Sequence, residues 1–314
     1  MKHYITVDGG TTNTRVTLTE DENPLQTLRI PLGARAGITD PQALPTALRD
    51  AIQTLLKANA LQESDIVRIL ASGMITSEFG LCSLPHVNAP VGMCELNASM
   101  HEILLPTISS IPFVFIRGVK LLGDTVEATD MMRGEETELM GLLSTPPTQN
   151  TLYVLPGSHS KLIETDQSGR ICRFSTMLTG EMIAALSEGT ILKDAVDLAI
   201  EAQDEQCLCD GYRYTAVHGL NESLFKVRIL KNLFAKSPTE VYSFFLGAVL
   251  ADEIQAILRS SAPRVVIGGK AQIKRATKAL LRAFSDKEIV SVSEADVDSS
   301  STRGAIRIYE YSKS

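Results

Sequence analysis

Apolar and polar positions alternate along several short segments of the first part of the chain, a pattern typical of half-buried strands. One longer segment, residues 44–59, instead has apolar residues every three to four positions and predicts an amphipathic helix. Strands are predicted in this part at residues 4–7, 15–18, 27–31, 66–71 and 113–116. Strands followed by strands that alternate with helices indicate an α/β domain.

The pattern begins again after residues 146–150, a polar, proline-containing segment that is the best linker candidate. Further strands are predicted at residues 152–155, 161–164, 171–177, 265–269 and 289–292. Helices are predicted at residues 181–190, 196–202, 224–234, 239–258, 273–284 and 302–311. The second part therefore opens as the first does, with a strand, a polar turn containing glycine and another strand. We expect two domains, residues 1–145 and 146–314, with the closing helix packing back toward the first.

The turn between the first two strands has the residues of a phosphate-binding loop. Gly9 and Gly10 permit backbone angles closed to other residues and let a ligand approach the main chain. Successive N–H groups of such a turn can form a concave anion site, to which Thr11, Thr12 and Asn13 add neutral donors. An ordinary Asp-Gly hairpin has the same pattern and is the structural alternative. Because no helix follows the turn, the P-loop and the Rossmann loop, which both open a helix, are excluded.

Asp8 ends the first strand beside this turn, where its carboxylate could hold a hydrated magnesium ion. Magnesium keeps several of its waters and binds few carboxylates, so one Asp is sufficient. Phosphoryl transfer needs positioning and charge neutralisation more than covalent help, and a magnesium ion on Asp8 would give Asp8 a catalytic role of that kind.

Composition limits the classes of partner. The chain of 314 residues has a net charge of −7, no basic block and no Trp, so neither a nucleic-acid nor an anionic-membrane partner is expected. We find no secretory signal and no apolar run of membrane-spanning length. The five cysteines are odd in number and scattered, which predicts a reducing, cytoplasmic location. Cys207 and Cys209 form a C-x-C pair, but no matching His or Cys pair is near enough in sequence to favour a zinc site.

Three glycine-containing strand ends occur in order, at Asp8-Gly9-Gly10-Thr11, Pro156-Gly157-Ser158-His159 and Gly268-Gly269-Lys270. Together with the repeated pattern they resemble the actin, Hsp70 and sugar-kinase superfold, an α/β, ribonuclease H-like fold of two lobes with a nucleotide cleft between them. The resemblance implies two turns that bind the phosphates of ATP and a diglycine that lets the adenosine lie flat. The residues expected at the phosphates are Gly9, Gly10, Thr11, Thr12, Asn13, Gly157, Ser158, His159 and Lys161. Those expected at the adenosine are Gly268 and Gly269.

Several segments that span nearly the whole chain also resemble the 2-dehydro-3-deoxygalactonokinase family. They are Ala71-Ser72-Gly73-Met74, M-R-G-E-E-T from Met132, Y-V-L-P-G-S-H-S-K from Tyr153, L-T-G-E from Leu178 and T-R-G from Thr302. The R-G-E-E-T and P-G-S-H-S-K blocks are fairly specific to this family, whereas the diglycines are general to the superfold. The resemblance implies an enzyme that uses ATP and Mg²⁺ to phosphorylate the 6-hydroxyl of 2-dehydro-3-deoxy-D-galactonate in galactonate degradation.

Such a reaction needs a carboxylate that takes the proton of the acceptor hydroxyl. In this superfold that acid usually lies where the fourth strand of the first lobe leads into a helix, here residues 133–136. Glu135 is the first choice and Glu136 the second. Alternatively, both glutamates are simply acidic residues in the first turn of a helix. Asp130 and Glu181 are then the next candidates for the base.

The carboxylate of the sugar acid requires a cation, and arginine offers bidentate geometry. Arg133 and Arg117 both follow predicted strands of the first domain and are the candidates, although each could be a surface arginine. The other residues expected at the substrate are Ser72, Gly73, Met74 and Glu181. For Glu181 the alternative is that Thr179 merely caps the helix that follows.

Proteins of other classes share the superfold. Actin and Hsp70 have large added domains or filament surfaces, for which 314 residues leave little room. A phosphohydrolase of the exopolyphosphatase type has a glutamate pair at a similar place and needs no sugar acid for turnover. A kinase for another 2-keto-3-deoxy sugar acid is the remaining alternative. The expected partners are a sugar acid and ATP, and a homodimer is left open.

Overall fold

The structure, a computed structural model, describes residues 1–143, 147–269 and 271–311. The chain divides into two compact units. The first consists of Met1–Pro147, Asp166–Arg173 and Ala295–Ser314, and the second of Thr148–Thr165 and Phe174–Glu294. The boundary expected between residues 145 and 146 lies outside the described residues, and the last helix is grouped with the first unit.

Each strand that the sequence pattern predicts is present, with small shifts of its ends. The strands are β1 (His3–Gly9), β2 (Thr14–Glu20), β3 (Asn23–Ile30), β4 (Ile66–Gly73), β5 (Val87–Asn88), β6 (His101–Ile103), β7 (Phe113–Phe115), β8 (Val119–Leu121), β9 (Asp130–Met132), β10 (Thr151–Leu155), β11 (Ser160–Thr165), β12 (Ile171–Met177), β13 (Arg264–Ile267) and β14 (Glu288–Ser291). The α-helices are α1 (Ala43–Ala58), α2 (Met93–Ala98), α3 (Glu135–Leu142), α4 (Thr179–Gly189), α5 (Glu205–His218), α6 (Leu220–Asn232), α7 (Pro238–Val249), α8 (Ala251–Arg259), α9 (Ala271–Phe284) and α10 (Glu294–Glu310).

The main sheet of the first unit has the strand order β3-β2-β1-β4-β7-β6. β1 is antiparallel to β2 and parallel to β4, while β2 continues antiparallel to β3 and β4 continues parallel to β7. The apolar side of α1 covers one face of this sheet. Leu48, Ile52 and Leu55 of α1 have no exposed surface and share a core with Ile5 and Phe113 of the strands.

The sheet of the second unit repeats this arrangement, with the strand order β12-β11-β10-β13-β14. Its central strand, β10, is again antiparallel to the next strand in the chain and parallel to a later one. The internal repeat that the sequence predicts is therefore confirmed at the level of strand order. α7 lies at the centre of the core of this unit, because all of residues 241–249 are buried.

Two predicted helices of the second unit differ from the structure. Residues 196–202 form no helix, and two of their carbonyl oxygens, those of Leu198 and Ile200, accept from Gln272 Nε2. Residues 239–258 form two helices, α7 and α8, whose axes differ by 46°. The sequence pattern also does not predict α5 or the small sheet β5-β8-β9.

None of the described helices is by itself long and apolar enough to cross a membrane, and only α7 and α8 taken together, as a bent pair, reach that length and apolarity. The five cysteines are all free thiols. Among the described residues, no group of three or more His, Cys, Asp or Glu could hold a metal ion, and this includes the surroundings of Cys207 and Cys209.

Candidate functional site

Three segments of the first unit meet at three glycines: Gly9 at the end of β1, Gly73 at the end of β4 and Gly134 directly before α3. Gly73 has a φ of +82°, and a Cβ there would lie 2.5 Å from the carbonyl oxygen of Gly9. Gly134 has a φ of +115°, and a Cβ there would lie 3.3 Å from the Cα of Gly73. Only glycine combines such left-handed backbone angles with so close an approach. The contact brings the first turn together with residues 72–74 and 133–136, the segments expected at the substrate and at the catalytic base.

Asp8 pairs with an arginine that the motifs do not single out. Asp8 on β1 lies opposite Arg15 on β2, and Arg15 Nη2 and Nε donate to Asp8 Oδ2 at 2.6 and 3.2 Å. The two residues line a cavity of about 540 Å³, together with Thr6, Thr17 and Thr302 among others. Cavities of this size are typical of small-molecule sites. The pair could have been predicted from the hairpin register, since residues 8 and 15 flank the turn symmetrically.

Hydrogen bonds to carbonyl oxygens hold the backbone of the first turn. Gly10 N donates to Asn13 O at 2.8 Å, and Ala34 N donates to Gly10 O at 3.0 Å. Within the described chain, no main-chain bond uses the amides of Thr11, Thr12 or Asn13, and the side chains of these three residues are exposed. The turn therefore retains several donors that an anion could take.

The adjacent glutamates at the start of α3 have different environments. Glu136 has no exposed surface, and its carboxyl oxygens accept from Gly134 N at 2.8 and 3.0 Å and from Thr137 Oγ1 at 3.0 Å. Burial, and then the charge of Glu135, raises the pKa of Glu136 to about 8. Glu135 is partly exposed, and its Oε2 accepts from Arg133 N at 3.0 Å. Glu136 thus stabilises the loop from inside, and of the two only Glu135 has access to solvent.

Glu138 is a third acidic residue near the start of α3, and the sequence motifs do not predict it as a site residue. It follows Glu135 by three residues on α3, a spacing that places both on one side of the helix. Burial raises the pKa of Glu138 to about 7; the charges of Asp8 and Glu135 also raise it, and that of Arg15 lowers it. Glu138 therefore interacts electrostatically both with the Asp8–Arg15 pair and with Glu135.

The guanidinium of Arg133 is engaged inside the protein. Its Nη1 donates to the carbonyl and hydroxyl oxygens of Thr76 at 2.7 and 2.5 Å, and its Nη2 donates to Leu84 O at 3.1 Å. Nη2 also lies 3.3 Å from His86 Nδ1. Burial, followed by the charges of Arg133 and Lys120, lowers the pKa of His86 to about 4, so the neutral ring can accept this bond. Both Nη atoms of Arg133 therefore already have protein acceptors, which disfavours the bidentate substrate contact predicted from the sequence.

The other residues expected at the substrate differ in exposure. Arg117, after β7, is partly exposed, and its Nε is buried without a hydrogen-bond partner among the described residues. Met74 and Asp130 are also partly exposed. Ser72 is only 2% exposed, and Gly73 is buried as well. The side chain of Ser72 therefore belongs to the interior of the unit, because its strand, β4, is central in the sheet.

The second turn is exposed, and the start of α4 supports it. Gly157, Ser158 and His159 are exposed between β10 and β11. Glu181 N donates to Ser158 O at 3.1 Å, and Glu181 Oε1 lies 3.0 Å from His159 Nε2. A Cβ at Gly180 would lie 2.2 Å from Gly157 O, so the helix begins in direct contact with the turn. Glu181 is thus a neighbour of the residues expected at the phosphates.

Two polar residues next to the second turn are buried. Lys161 is 4% exposed, and its Nζ donates to Thr176 Oγ1 at 2.6 Å, which excludes a solvated hairpin lysine. Thr179 does not cap α4; its Oγ1 donates instead to Glu253 Oε2 at 2.5 Å. The interior under this turn is therefore polar.

The diglycine after β13 contacts the beginning of the second turn. Gly268 N donates to Val154 O at 2.8 Å. Gly269 has a φ of +73°, and a Cβ there would lie 2.6 Å from Pro156 O. Because a side chain at Gly269 would meet Pro156, the protein itself requires a glycine at this position. Lys270 lies outside the described residues.

The surroundings of Asp8 fit a hydrated magnesium ion. Oδ2 of Asp8 is bonded by Arg15, and none of the hydrogen bonds of the described residues uses Oδ1. A single carboxylate with one available oxygen suits magnesium, which keeps several waters, better than it suits a metal that needs a full set of protein ligands.

Comparison with known proteins identifies relatives over almost the full chain. The sequence model of the family described as 2-keto-3-deoxy-galactonokinase matches residues 8–308. The 2-dehydro-3-deoxygalactonokinase of Escherichia coli K12 is 25% identical over 259 residues, which cover 81% of this chain and 80% of that protein. A Sinorhizobium meliloti protein assigned as a 2-dehydro-3-deoxygalactonokinase has a structure that superposes with a TM-score of 0.79 at 21% identity, over 97% of this chain and 98% of its own.

A more distant structure shares the fold. The activator of the 2-hydroxyisocaproyl-CoA dehydratase of Clostridium difficile, solved with bound ADPNP, superposes with a TM-score of 0.52 at 13% identity, over 99% of this chain and 96% of that one. The α/β fold of the actin, Hsp70 and sugar-kinase superfold, predicted from the three glycine-containing strand ends, is confirmed. Since the family model begins at Asp8 and extends through both turns and the diglycine, the chain belongs to the 2-keto-3-deoxy-galactonokinase family and is a carbohydrate kinase.

Proposed function

We propose that this protein transfers the γ-phosphoryl group of ATP to the 6-hydroxyl of 2-dehydro-3-deoxy-D-galactonate, in galactonate degradation. The family match over residues 8–308 is the observation that carries the proposal. The name of the Escherichia coli relative supports the same substrate. We also propose a cytoplasmic location, which the free state of the five cysteines supports.

In this proposal both turns bind phosphates of ATP. The first supplies the amides and side chains of residues 10–13, and the second supplies exposed donors at Gly157, Ser158 and His159. Gly268 and Gly269 lie beside the adenosine. A magnesium ion, bound through water to Asp8, would supply neutralisation of the triphosphate charge.

Glu135 is the proposed general base. It takes the proton of the 6-hydroxyl as that oxygen attacks the γ-phosphorus and ADP leaves. Its access to solvent and its bond from Arg133 N support this role, because the carboxylate is both reachable and oriented. Glu136 is less suited, since it is buried and its pKa is raised to about 8.

Arg117 is the proposed cation for the substrate carboxylate. Its Nε lacks a partner among the described residues, whereas the Nη atoms of Arg133 are occupied. A carboxylate would satisfy this guanidinium by charge-assisted hydrogen bonds. Arg133 acts as a positioning residue, because it joins the loop after β4 to the loop that carries Glu135. Met74 and Glu181 are proposed as further contacts to the acceptor.

A coupled ADP-release assay over a panel of six-carbon sugar acids tests the proposal. The D-galactonate-derived 2-dehydro-3-deoxy acid should give the highest kcat/KM, and ATP alone should give almost no turnover. Preference for another 2-keto-3-deoxy acid would change the substrate but keep the reaction. Fast release of phosphate without any acceptor, or from polyphosphate, would contradict a kinase and support a phosphohydrolase.

A further inference from the structure

Glu253 is a buried acid that the proposed reaction does not use directly. It lies in the first turn of α8, is 1% exposed, and forms no ion pair with the described residues. A buried carboxyl group without a cation is costly unless hydrogen bonds satisfy it. Hydrogen bonds from neighbouring residues must therefore compensate for the burial of this carboxyl group.

The hydrogen bond from Thr179 connects Glu253 to the start of α4. Thr179 Oγ1 donates to Glu253 Oε2 at 2.5 Å. The next residues of α4 contact the second turn, since Gly180 lies against Gly157 O and Glu181 N donates to Ser158 O at 3.1 Å. A displacement of Thr179 would therefore move the backbone that holds the turn.

A second group beside Glu253 lies on the other side of the turn. Ser160, the first residue of β11, has no exposed surface and directly follows His159. Neither Ser160 Oγ nor Glu253 Oε1 has a completed hydrogen bond among the described residues, but the hydroxyl is close enough to lower the pKa of the carboxyl, which burial raises. Ser160 is thus a buried polar group directly after the turn, whereas the hydrogen bond that joins Glu253 to the support of the turn is the one from Thr179.

We infer that Glu253 is a positioning residue for the second turn, which it holds through Thr179 in the geometry that binds the phosphates of ATP. The inference rests on the proposed role of this turn in ATP binding. Glu253, on α8, would then support ATP binding without contacting either ATP or the sugar acid.

The test measures binding of ATP with Mg²⁺ by calorimetry and hydrogen exchange of the amides of residues 157–160, both without a sugar acid. Glu253→Ala should weaken ATP binding by about tenfold, as expected for the loss of a buried hydrogen bond that holds the turn, and should raise exchange at the turn. Glu253→Gln, which keeps an acceptor for Thr179, should restore most of both. In steady state, the KM for ATP should rise while that for the sugar acid stays the same.

Two controls on the same helix separate positioning from stability. Ile257→Val trims a fully buried neighbour and should lower Tm without changing ATP binding, and Asp252→Asn removes an exposed charge from the same turn. If Glu253→Ala does not fold, Thr179→Val removes the donor alone and should show the same loss. Unchanged ATP binding and exchange in a folded Glu253→Ala or Thr179→Val variant would overturn the inference. A wild-type protein that binds ATP but phosphorylates no sugar acid would overturn the proposed function instead.

Discussion

Arg15 faces Asp8 across the first hairpin, and both its Nη2 and its Nε donate to the same carboxylate oxygen, Oδ2. One oxygen of Asp8 is thereby fixed by a protein cation, while Oδ1 has no hydrogen bond among the described residues. An aspartate held in this way is oriented before any ion binds, which lowers the cost of organising a magnesium site.

Asp8→Asn is expected to reduce kcat by about a hundredfold or more, because the neutral amide binds a hydrated magnesium ion poorly and the triphosphate charge is then less well neutralised. The fold should remain intact. Titration of activity with Mg²⁺ checks the role, and the half-saturating concentration should rise. Asp298→Asn is the matched control, since Asp298 lines the same cavity and its charge also acts on Arg15. An unaltered magnesium dependence in Asp8→Asn would contradict the role.

Glu135→Gln is expected to reduce kcat by about a hundred- to ten-thousand-fold, the usual effect of removing a positioned base. ATP should still bind, because the change is at the acceptor. Glu136→Gln is the control and should lose less than about tenfold in kcat, since Glu136 already acts as a neutral group inside the loop. A larger loss for Glu136→Gln would exchange the two roles. Small losses for both would leave Asp130 and Glu181 as the candidates.

Glu136 should make the stability of the protein depend on pH. Its pKa rises from 4.5 to about 8 on folding, so the folded state favours the neutral form. Its contribution is complete below pH 4.5 and is lost as the pH rises through about 8. Urea unfolding over this range should show wild type losing stability relative to Glu136→Gln, by at most about 1.4 kcal/mol per pH unit. Because Glu138 is present in both proteins, its titration cancels to first order. Parallel profiles would show that Glu136 is not neutral in the folded protein.

Arg117→Met and Arg133→Met should have different effects. Arg117→Met is expected to raise the KM for the sugar acid by roughly tenfold to a hundredfold, with little change in Tm, because charge-assisted hydrogen bonds to the carboxylate are lost. Arg133→Met should lower Tm, since Thr76 and Leu84 lose a buried donor. Thermal unfolding and substrate titration of both variants provide the comparison. A large KM effect for Arg133→Met at unchanged Tm would restore Arg133 as the direct substrate contact.

Gly269→Ala should destabilise the protein rather than selectively weaken ATP binding. The residue has a φ of +73°, and the new Cβ would lie 2.6 Å from Pro156 O. A left-handed angle alone costs a residue other than glycine about 1–2 kcal/mol. Gly189→Ala is the control, because a Cβ there meets nothing within 4 Å. Equal Tm values for the two variants would show that the backbone at Pro156 shifts at little cost to accommodate the new Cβ.

The hairpins and their turns could be predicted from the sequence because residues close together in the chain determine them. Alternating strands, the glycines of the turn and even the pairing of Asp8 with Arg15 all follow from positions within a few residues of one another. The role of Arg133 could not be predicted in this way. Its acceptors Thr76, Leu84 and His86 are 57, 49 and 47 residues away in the chain. Which of two adjacent glutamates is buried likewise depends on how α3 packs against the sheet, and that is a tertiary property.

The contact of Gly9, Gly73 and Gly134 bears on how the acceptor preference of such an enzyme can be changed. The backbone of Gly9 occupies the space that a side chain at Gly73 would need, and the backbone of Gly73 occupies the space for a side chain at Gly134, so we expect that the three loops cannot be exchanged one at a time. If one loop were replaced by the corresponding loop of a relative, the other two loops would also have to fit against it. Directed evolution of this kinase should therefore vary the exposed side chains around the glycines, and recombination libraries should inherit the three segments as one block.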